Sequence, residues 1–162
     1  MMQVGEIESF AGEELFGQAQ KNALELAAYL RASEMLFVRG KGYWEDKLYW
    51  MVKYQGEYVC FILIDGHGEK GASWTVWSDD SGSDWFKDFP LDEDAKEIAW
   101  RHVDFCAGCG GDCSPGATKT IFGRVFDNVC RTAIKFENPD AAELQCLKKL
   151  IEARKNDISK NI

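Results

Sequence analysis

The feature that most constrains the fold is a pair of apolar segments in the first half of the chain. Leu48–Tyr54 and Glu57–Asp65 are separated by Gln55-Gly56, and glycine readily takes the positive φ that a two-residue hairpin turn requires. The second segment is apolar on both faces over residues 58–64, which is typical of a central strand covered on both sides. The sequence therefore predicts a sheet built around this hairpin.

Helical patterns lie on either side of the predicted strands. Apolar residues recur at spacings of three and four over residues 13–32, acids open a helix over 93–101, and Asn138-Pro139-Asp140 begins a helix that runs to about Lys155. Further strands are expected at 35–39, 73–78, 119–122 and 129–136. This order predicts an α+β fold, with one domain over residues 1–162, an antiparallel or mixed sheet, and helices packed on one face.

The charge of the chain limits the class of its partners. It carries 27 acidic against 19 basic residues, a formal net charge of −8, and has no cluster of lysine or arginine. This excess of negative charge argues against nucleic acid and against an anionic membrane surface as binding partners. The N-terminal residues lack the regions of a signal peptide, and the longest apolar run is too short to span a bilayer. A cytoplasmic location is expected, in which the six cysteines are reduced or bound to metal.

A cysteine- and glycine-rich loop over residues 106–116 is the stretch most typical of a chemical site. Its first two cysteines have the two-residue spacing with which thiolates close on one metal ion, and the glycines around them permit the tight turn. Its third cysteine is within reach of another position on the same ion. A fourth ligand comes from a neighbouring segment if that segment is extended and presents its side chain to the loop. The loop therefore predicts a structural zinc ion held by Cys106, Cys109, Cys113 and Cys130, with His102 as the alternative fourth ligand.

The same cysteines allow two other interpretations. In a redox interpretation, Cys106 and Cys109 form a thiol-dependent site, although such chemistry favours a cysteine at a helix N-terminus and the residues that follow cannot begin a helix. In the plainest interpretation, the segment is a surface loop with reduced thiols. Cys130 is expected on the apolar face of its strand, and Cys60 and Cys146 are expected to be packing residues.

Aromatic residues in the first strands form a second candidate site. Trp50 and Trp77 are expected in the same sheet, and Trp44 and Tyr49 lie close to the first of them in the sequence. A pocket lined by aromatic rings with a few polar groups is the usual form of a small-molecule site, so these four residues are predicted to bind a ligand. The alternative is that the rings belong to the core and the sheet surface.

Several segments in the last third of the chain carry a resemblance. They are the Cys-x-x-Cys loop, Lys119-Thr-Ile-Phe-Gly123, Phe126-Asp-Asn-Val-Cys130 and the helix start Phe136-Glu-Asn-Pro-Asp140. In these segments the chain resembles a group of small uncharacterised bacterial proteins. The hairpin over residues 48–65 is also similar to the hairpins of MmcQ/YjbR-like proteins. Neither resemblance implies a defined activity, and both imply a bacterial cytoplasmic protein.

The sequence contains no phosphate-binding glycine motif, nucleophile elbow or dinucleotide-binding motif, so nothing in it requires an enzyme. The expected function is a non-enzymatic, regulatory domain that binds a small molecule or a protein partner. The alternatives are a thiol-dependent redox enzyme or sensor that uses Cys106 and Cys109, and a protein–protein adaptor. An acidic, aromatic-rich sheet can also form a homodimer.

Overall fold

The predicted helices and strands occur in the predicted order, and the structure adds a helix at residues 6–14 and a short strand at residues 103–105. The computed structural model describes residues 6–40, 48–65, 73–78, 86–87, 90–106 and 116–160. The helices are α1 (Glu6–Glu14), α2 (Gly17–Ala32), α3 (Glu93–Arg101) and α4 (Ala141–Lys160). The strands are β1 (Leu36–Arg39), β2 (Leu48–Tyr54), β3 (Glu57–Asp65), β4 (Ser73–Ser78), β5 (Val103–Phe105), β6 (Ala117–Ile121) and β7 (Arg124–Glu137). Within these ranges, no helix is long and apolar enough to cross a membrane.

The strands form one antiparallel sheet, and the predicted α+β class is confirmed. Their order across the sheet is β1-β2-β3-β4-β7-β5, and β6 also pairs with β7. The hairpin of β2 and β3 has the predicted bounds. Gln55 and Gly56 take φ values of +50° and +85°, and positive φ at both central positions matches the right-handed twist of the two strands. β3 lies between β2 and β4, as its apolar sequence indicates.

The hydrophobic core lies between one face of the sheet and the helices. Residues directly opposite each other on neighbouring strands point to the same face. One such row crosses four strands, is at most 2% exposed, and consists of Trp50, Ile62, Val76 and Phe136. Helices α1, α2 and α4 contact β3 or β4, and the described buried hydrophobic residues other than Tyr49 and Leu63 form a single cluster. We call this side of the sheet the helix face.

The helix predicted over residues 13–32 is confirmed from residue 17 onward, but residues 13–14 end a separate helix, α1, which the sequence does not predict. α1 ends at Glu14 and α2 begins at Gly17, whose φ of +58° is left-handed and interrupts a right-handed helix. Leu15 lies between the two helices and is fully buried. The apolar spacing therefore continues through the break, which is why periodicity alone did not reveal it.

β7 is longer than predicted and is irregular at two positions. Asn128 and Ala133 have positive φ, at +57° and +65°. Ala133 and Ile134 are both fully buried, so the usual alternation of side chains slips by one residue at this point, as in a β-bulge. Cys130, which precedes the slip, is partly exposed, whereas its neighbour Val129 is buried. The prediction that Cys130 points with the apolar residues of β7 is therefore wrong.

Candidate functional site

The face of the sheet opposite the helices carries a second row of paired side chains. This row runs from β1 through β2, β3 and β4 to β7. Val38 at its edge is 39% exposed, and the other members are partly exposed. We call it the open row, and it consists of Val38, Met51, Phe61, Trp77 and Lys135.

The rows on either side of the open row differ in exposure. On one side, Tyr49, Leu63 and Thr75 are only 7–8% exposed. On the other side, Leu36 is 54% exposed and lies opposite Lys53, which in turn lies opposite Tyr58. The accessible apolar surface therefore extends from the open row toward these three residues. We call this combined surface the open face; it comprises the open row with Leu36, Lys53 and Tyr58.

The structure places the predicted aromatic ligand-binding residues on two different faces. Trp50 belongs to the helix face, is 1% exposed and contacts the ring of Phe10, with the centroids 5.6 Å apart. Trp77 belongs to the open row, and Tyr49 lies on the same side but is buried. Trp44 lies outside the described residues. The sheet thus separates Trp50 from Trp77. The open face also includes Met51 and Phe61, which sequence analysis missed; the alternation of side chains between the two faces along β2 and β3 is the signal that could have identified them.

Two lysines of the open face lie over aromatic rings. The Nζ atom of Lys53 is 4.8 Å from the ring centroid of Tyr58, and that of Lys135 is 5.7 Å from the ring centroid of Trp77. These distances suit cation–π interactions. Lys135 also forms an ion pair with Glu137 at 2.9 Å. For Lys53, the structure shows no ion pair among the residues it describes.

A polar cluster borders the open face where β5 meets β7. The Cys130 sulfur accepts a hydrogen bond from the Thr132 hydroxyl at 3.6 Å, and the Asp104 carboxylate lies near this thiol. Burial raises the pKa of Asp104, and the charge of Lys135 and the neighbouring Cys130 thiol oppose that rise. Cys130 therefore lies beside a carboxylate and a hydroxyl, on the side of the sheet away from the helices.

Asn128 contacts both ends of the cysteine loop, Cys106 and Gly116. We call this arrangement the clamp. The Cys106 amide donates to the Asn128 carbonyl at 2.8 Å, and the Asn128 side-chain amide donates back to the Cys106 carbonyl at 3.1 Å. A Cβ atom on Gly116 would lie 2.7 Å from the Asn128 carbonyl carbon and 2.8 Å from the Cys106 Cβ. Glycine is required at 116 because the chain passes this close, and asparagine suits the left-handed φ of residue 128.

The predicted zinc ligands are only partly described. Cys109 and Cys113 lie outside the described residues, Cys106 lies at the clamp, and Cys130 lies beside Asp104. In the ranges that the structure covers, no three histidine, cysteine, aspartate or glutamate side chains form a group that could hold a metal ion. The structure therefore describes the surroundings of two predicted ligands without bringing a complete set together.

His102 does not lie where its prediction as a zinc ligand requires. It ends helix α3 as the C-cap and is not part of an extended segment. Its ring stacks on Phe136 at a centroid distance of 4.5 Å, and its Nε2 atom pairs with the carboxylate of Glu143 in α4. His102 is thus on the helix face, whereas Asp104 and Cys130 are on the other side, and the geometric reason for proposing it as a ligand is wrong.

The remaining described cysteines are packing residues, as predicted. Cys60 is 1% exposed and Cys146 is 2% exposed. The Cys146 thiol donates to the Ala95 carbonyl at 3.4 Å, and burial raises the pKa of this thiol to about 12. Such a thiol stays protonated at neutral pH and is therefore a poor nucleophile.

The open face and the clamped cysteine loop are therefore the two candidate sites that the geometry offers. They are connected by β7, which carries Lys135 of the open row as well as Cys130 and Asn128. Comparison of the chain with protein-family models, curated proteins and solved structures found no match.

Proposed function

We propose that this chain is a non-enzymatic binding domain that takes a small molecule with an apolar body on its open face. The observation that carries the proposal is the open row, in which four apolar or aromatic side chains and one lysine stand side by side across five strands. Contiguous apolar surface on a folded protein often marks a binding site. Aromatic walls with few polar groups are the usual surroundings of a bound small molecule.

The placement of the reactive groups supports binding over catalysis. The base that activates a cysteine nucleophile is most often a histidine within hydrogen-bond reach, about 3 Å. Cys130 borders the open face beside Asp104 and Thr132, and no described histidine lies next to it. His102 lies across the sheet and is engaged by Glu143 and Phe136. The sheet therefore separates the described histidine from this thiol.

A neutral fluorescent dye tests the proposed binding face. We expect Trp77→Ala to weaken the binding of Nile red about tenfold, because the largest ring of the open row is removed and about 1.4 kcal/mol of apolar contact is lost with it. The measurement is a fluorescence titration on protein whose fold is checked by circular dichroism. Val38→Ser, at the exposed edge of the same row, provides a second variant that disturbs packing less.

Phe16→Ser provides the matched control for this titration. Phe16 is 73% exposed, but it lies at the start of α2, away from the open face. Its removal should leave the dye affinity unchanged. If Trp77→Ala and Val38→Ser bind the dye as the unmodified chain does, the open face is not the binding site.

We propose further that the cysteine loop holds a structural zinc ion through Cys106, Cys109 and Cys113, with Cys130 as the fourth ligand. The two-residue spacing supports this, as does the clamp, since a loop whose ends are already closed loses less entropy when it binds an ion. Cys130 lies only two residues beyond Asn128 of the clamp. When bound, the ion would hold the loop in one conformation and supply no chemical step.

Metal analysis tests the zinc proposal. Protein purified without chelator should contain about one zinc ion per chain, as four ligands make one tetrahedral site. Cys109→Ser should lose the metal, and Cys146→Ala, which alters a buried packing thiol, should retain it. A metal-free protein in which Cys106 is alkylated rapidly would favour the thiol-dependent redox alternative instead.

A further inference from the structure

We infer that the ligand of the open face is an amphiphilic anion whose apolar body lies over Phe61 and Trp77 and whose charged group binds Lys53. This inference rests on the proposed binding function and adds the chemical class of the ligand. It follows from the distribution of charge along the open face.

Lys53 is a cation without an anionic partner in the part of the chain that the structure describes. It lies on β2 between Leu36 of β1 and Tyr58 of β3, with its ammonium group over the tyrosine ring. The chain as a whole has 27 acidic residues against 19 basic ones, so a lysine that lies beside apolar surface without an acidic partner is unexpected. A partly desolvated ammonium group binds an anion more strongly than one in open water does.

The other end of the open face, at β7, carries acidic groups and a lysine that already has an acidic partner. Lys135 is already paired with Glu137, whose side chain is 67% exposed, and Asp104 lies near both of them. A ligand anion placed there would meet two carboxyl groups and a lysine that is already neutralised. The anionic group of a ligand on this face is therefore directed toward Lys53 and away from β7.

The spacing of these groups sets the size of the ligand. Trp77 on β4 and Lys53 on β2 are separated by two strand spacings, and Lys53 lies two residues beyond Met51 of the open row, so the two positions are about 12 Å apart. An apolar body of two or three rings spans this distance over Phe61, which lies between Met51 and Trp77 in the open row. An aromatic sulfonate or carboxylate of this size has the required shape and charge.

Two dyes with different charge test this inference. Anilinonaphthalene sulfonate is an aromatic anion of the stated class, and Nile red is neutral. We expect Lys53→Gln to weaken binding of the sulfonate about five- to tenfold at low salt, through loss of one charge-assisted contact, and to change binding of Nile red less than about twofold. Added salt should reduce the difference between the variant and the unmodified chain.

Lys155→Gln is the matched control. Lys155 also lies over a tyrosine ring, with Nζ 5.2 Å from the centroid of Tyr54, but it belongs to α4 on the helix face. This variant should bind both dyes as the unmodified chain does. Equal effects of Lys53→Gln and Lys155→Gln, or equal effects of Lys53→Gln on the two dyes, would overturn the inference.

The Trp77→Ala variant separates failure of the inference from failure of the proposed function. If Trp77→Ala loses both dyes but Lys53→Gln loses neither, the open face binds apolar molecules without selecting anions. If Trp77→Ala retains both dyes, the open face is not a binding site at all. A stable dimer in light scattering that excludes both dyes until it dissociates would assign the face to a second copy of the chain and overturn the inference.

Discussion

Replacing Trp50 with alanine is expected to lower the free energy of unfolding by about 3–5 kcal/mol, as is typical for truncation of a large aromatic residue in a core. Trp50 is 1% exposed and lies opposite Ile62 on the helix face. It also contacts the ring of Phe10, and the guanidinium of Arg39 lies 5.4 Å from its centroid. Its removal would leave a cavity between the sheet and α1.

Trp77→Ala is the natural comparison because the two tryptophans are only one row apart in the sheet. Trp77 is partly exposed, so a smaller loss of about 1–2 kcal/mol is expected from the apolar area that it buries. Urea unfolding followed by far-ultraviolet circular dichroism measures both variants without relying on the fluorescence of the altered residue. Equal losses, or a greater loss for Trp77→Ala, would contradict the assignment of the two rings to different faces.

Much of the fold is predictable because its elements have strong local patterns. β2, β3, β4 and α3 have the predicted bounds. The turn at Gln55-Gly56 is specified by a residue that tolerates positive φ, and Asp92 caps α3 by accepting a hydrogen bond from the Ala95 amide at 2.7 Å. Each of these depends on neighbours in the sequence rather than on contacts across the fold.

The composition of the candidate site depends on strand register, which local patterns do not determine. Trp50 and Trp77 were correctly placed in one sheet, but a shift of one residue in pairing moves a side chain to the other face. Trp50 pairs with Ile62 and Trp77 pairs with Phe61, and this difference of one residue separates the two rings. Sequence alone therefore identified the strands but assigned residues from two faces of the sheet to one ligand-binding site.

The position of Cys130 depends on a backbone irregularity in β7 that the local sequence does not predict. Ala133 takes a left-handed φ of +65°, which alanine adopts only when surrounding contacts impose it. The resulting slip turns Cys130 away from Ile134 and Phe136 and toward Asp104. The alternation of residue types along residues 129–136 favoured the regular strand, and tertiary packing overrides it.

Replacing Gly116 with alanine is expected to lower the free energy of unfolding by about 1–3 kcal/mol, as overpacking of a close contact does. The added methyl group would meet the Asn128 backbone at 2.7 Å, and a backbone atom cannot move aside by changing rotamer. Relief would require the ends of the cysteine loop to separate, which would weaken the hydrogen bonds between Cys106 and Asn128.

Gly12→Ala is the control for this substitution, since it adds the same methyl group within helix α1. No heavy atom lies within 4 Å of that methyl position, so a small stabilisation of about 0.5–1 kcal/mol is expected from helix propensity. Urea unfolding in zinc and in chelator should show destabilisation by Gly116→Ala in both conditions, since the clamp consists of protein groups only. If Gly116→Ala also loses zinc that Gly12→Ala retains, the clamp positions Cys106 as a ligand. If Gly116→Ala is as stable as Gly12→Ala, the two ends of the loop do not meet at Asn128.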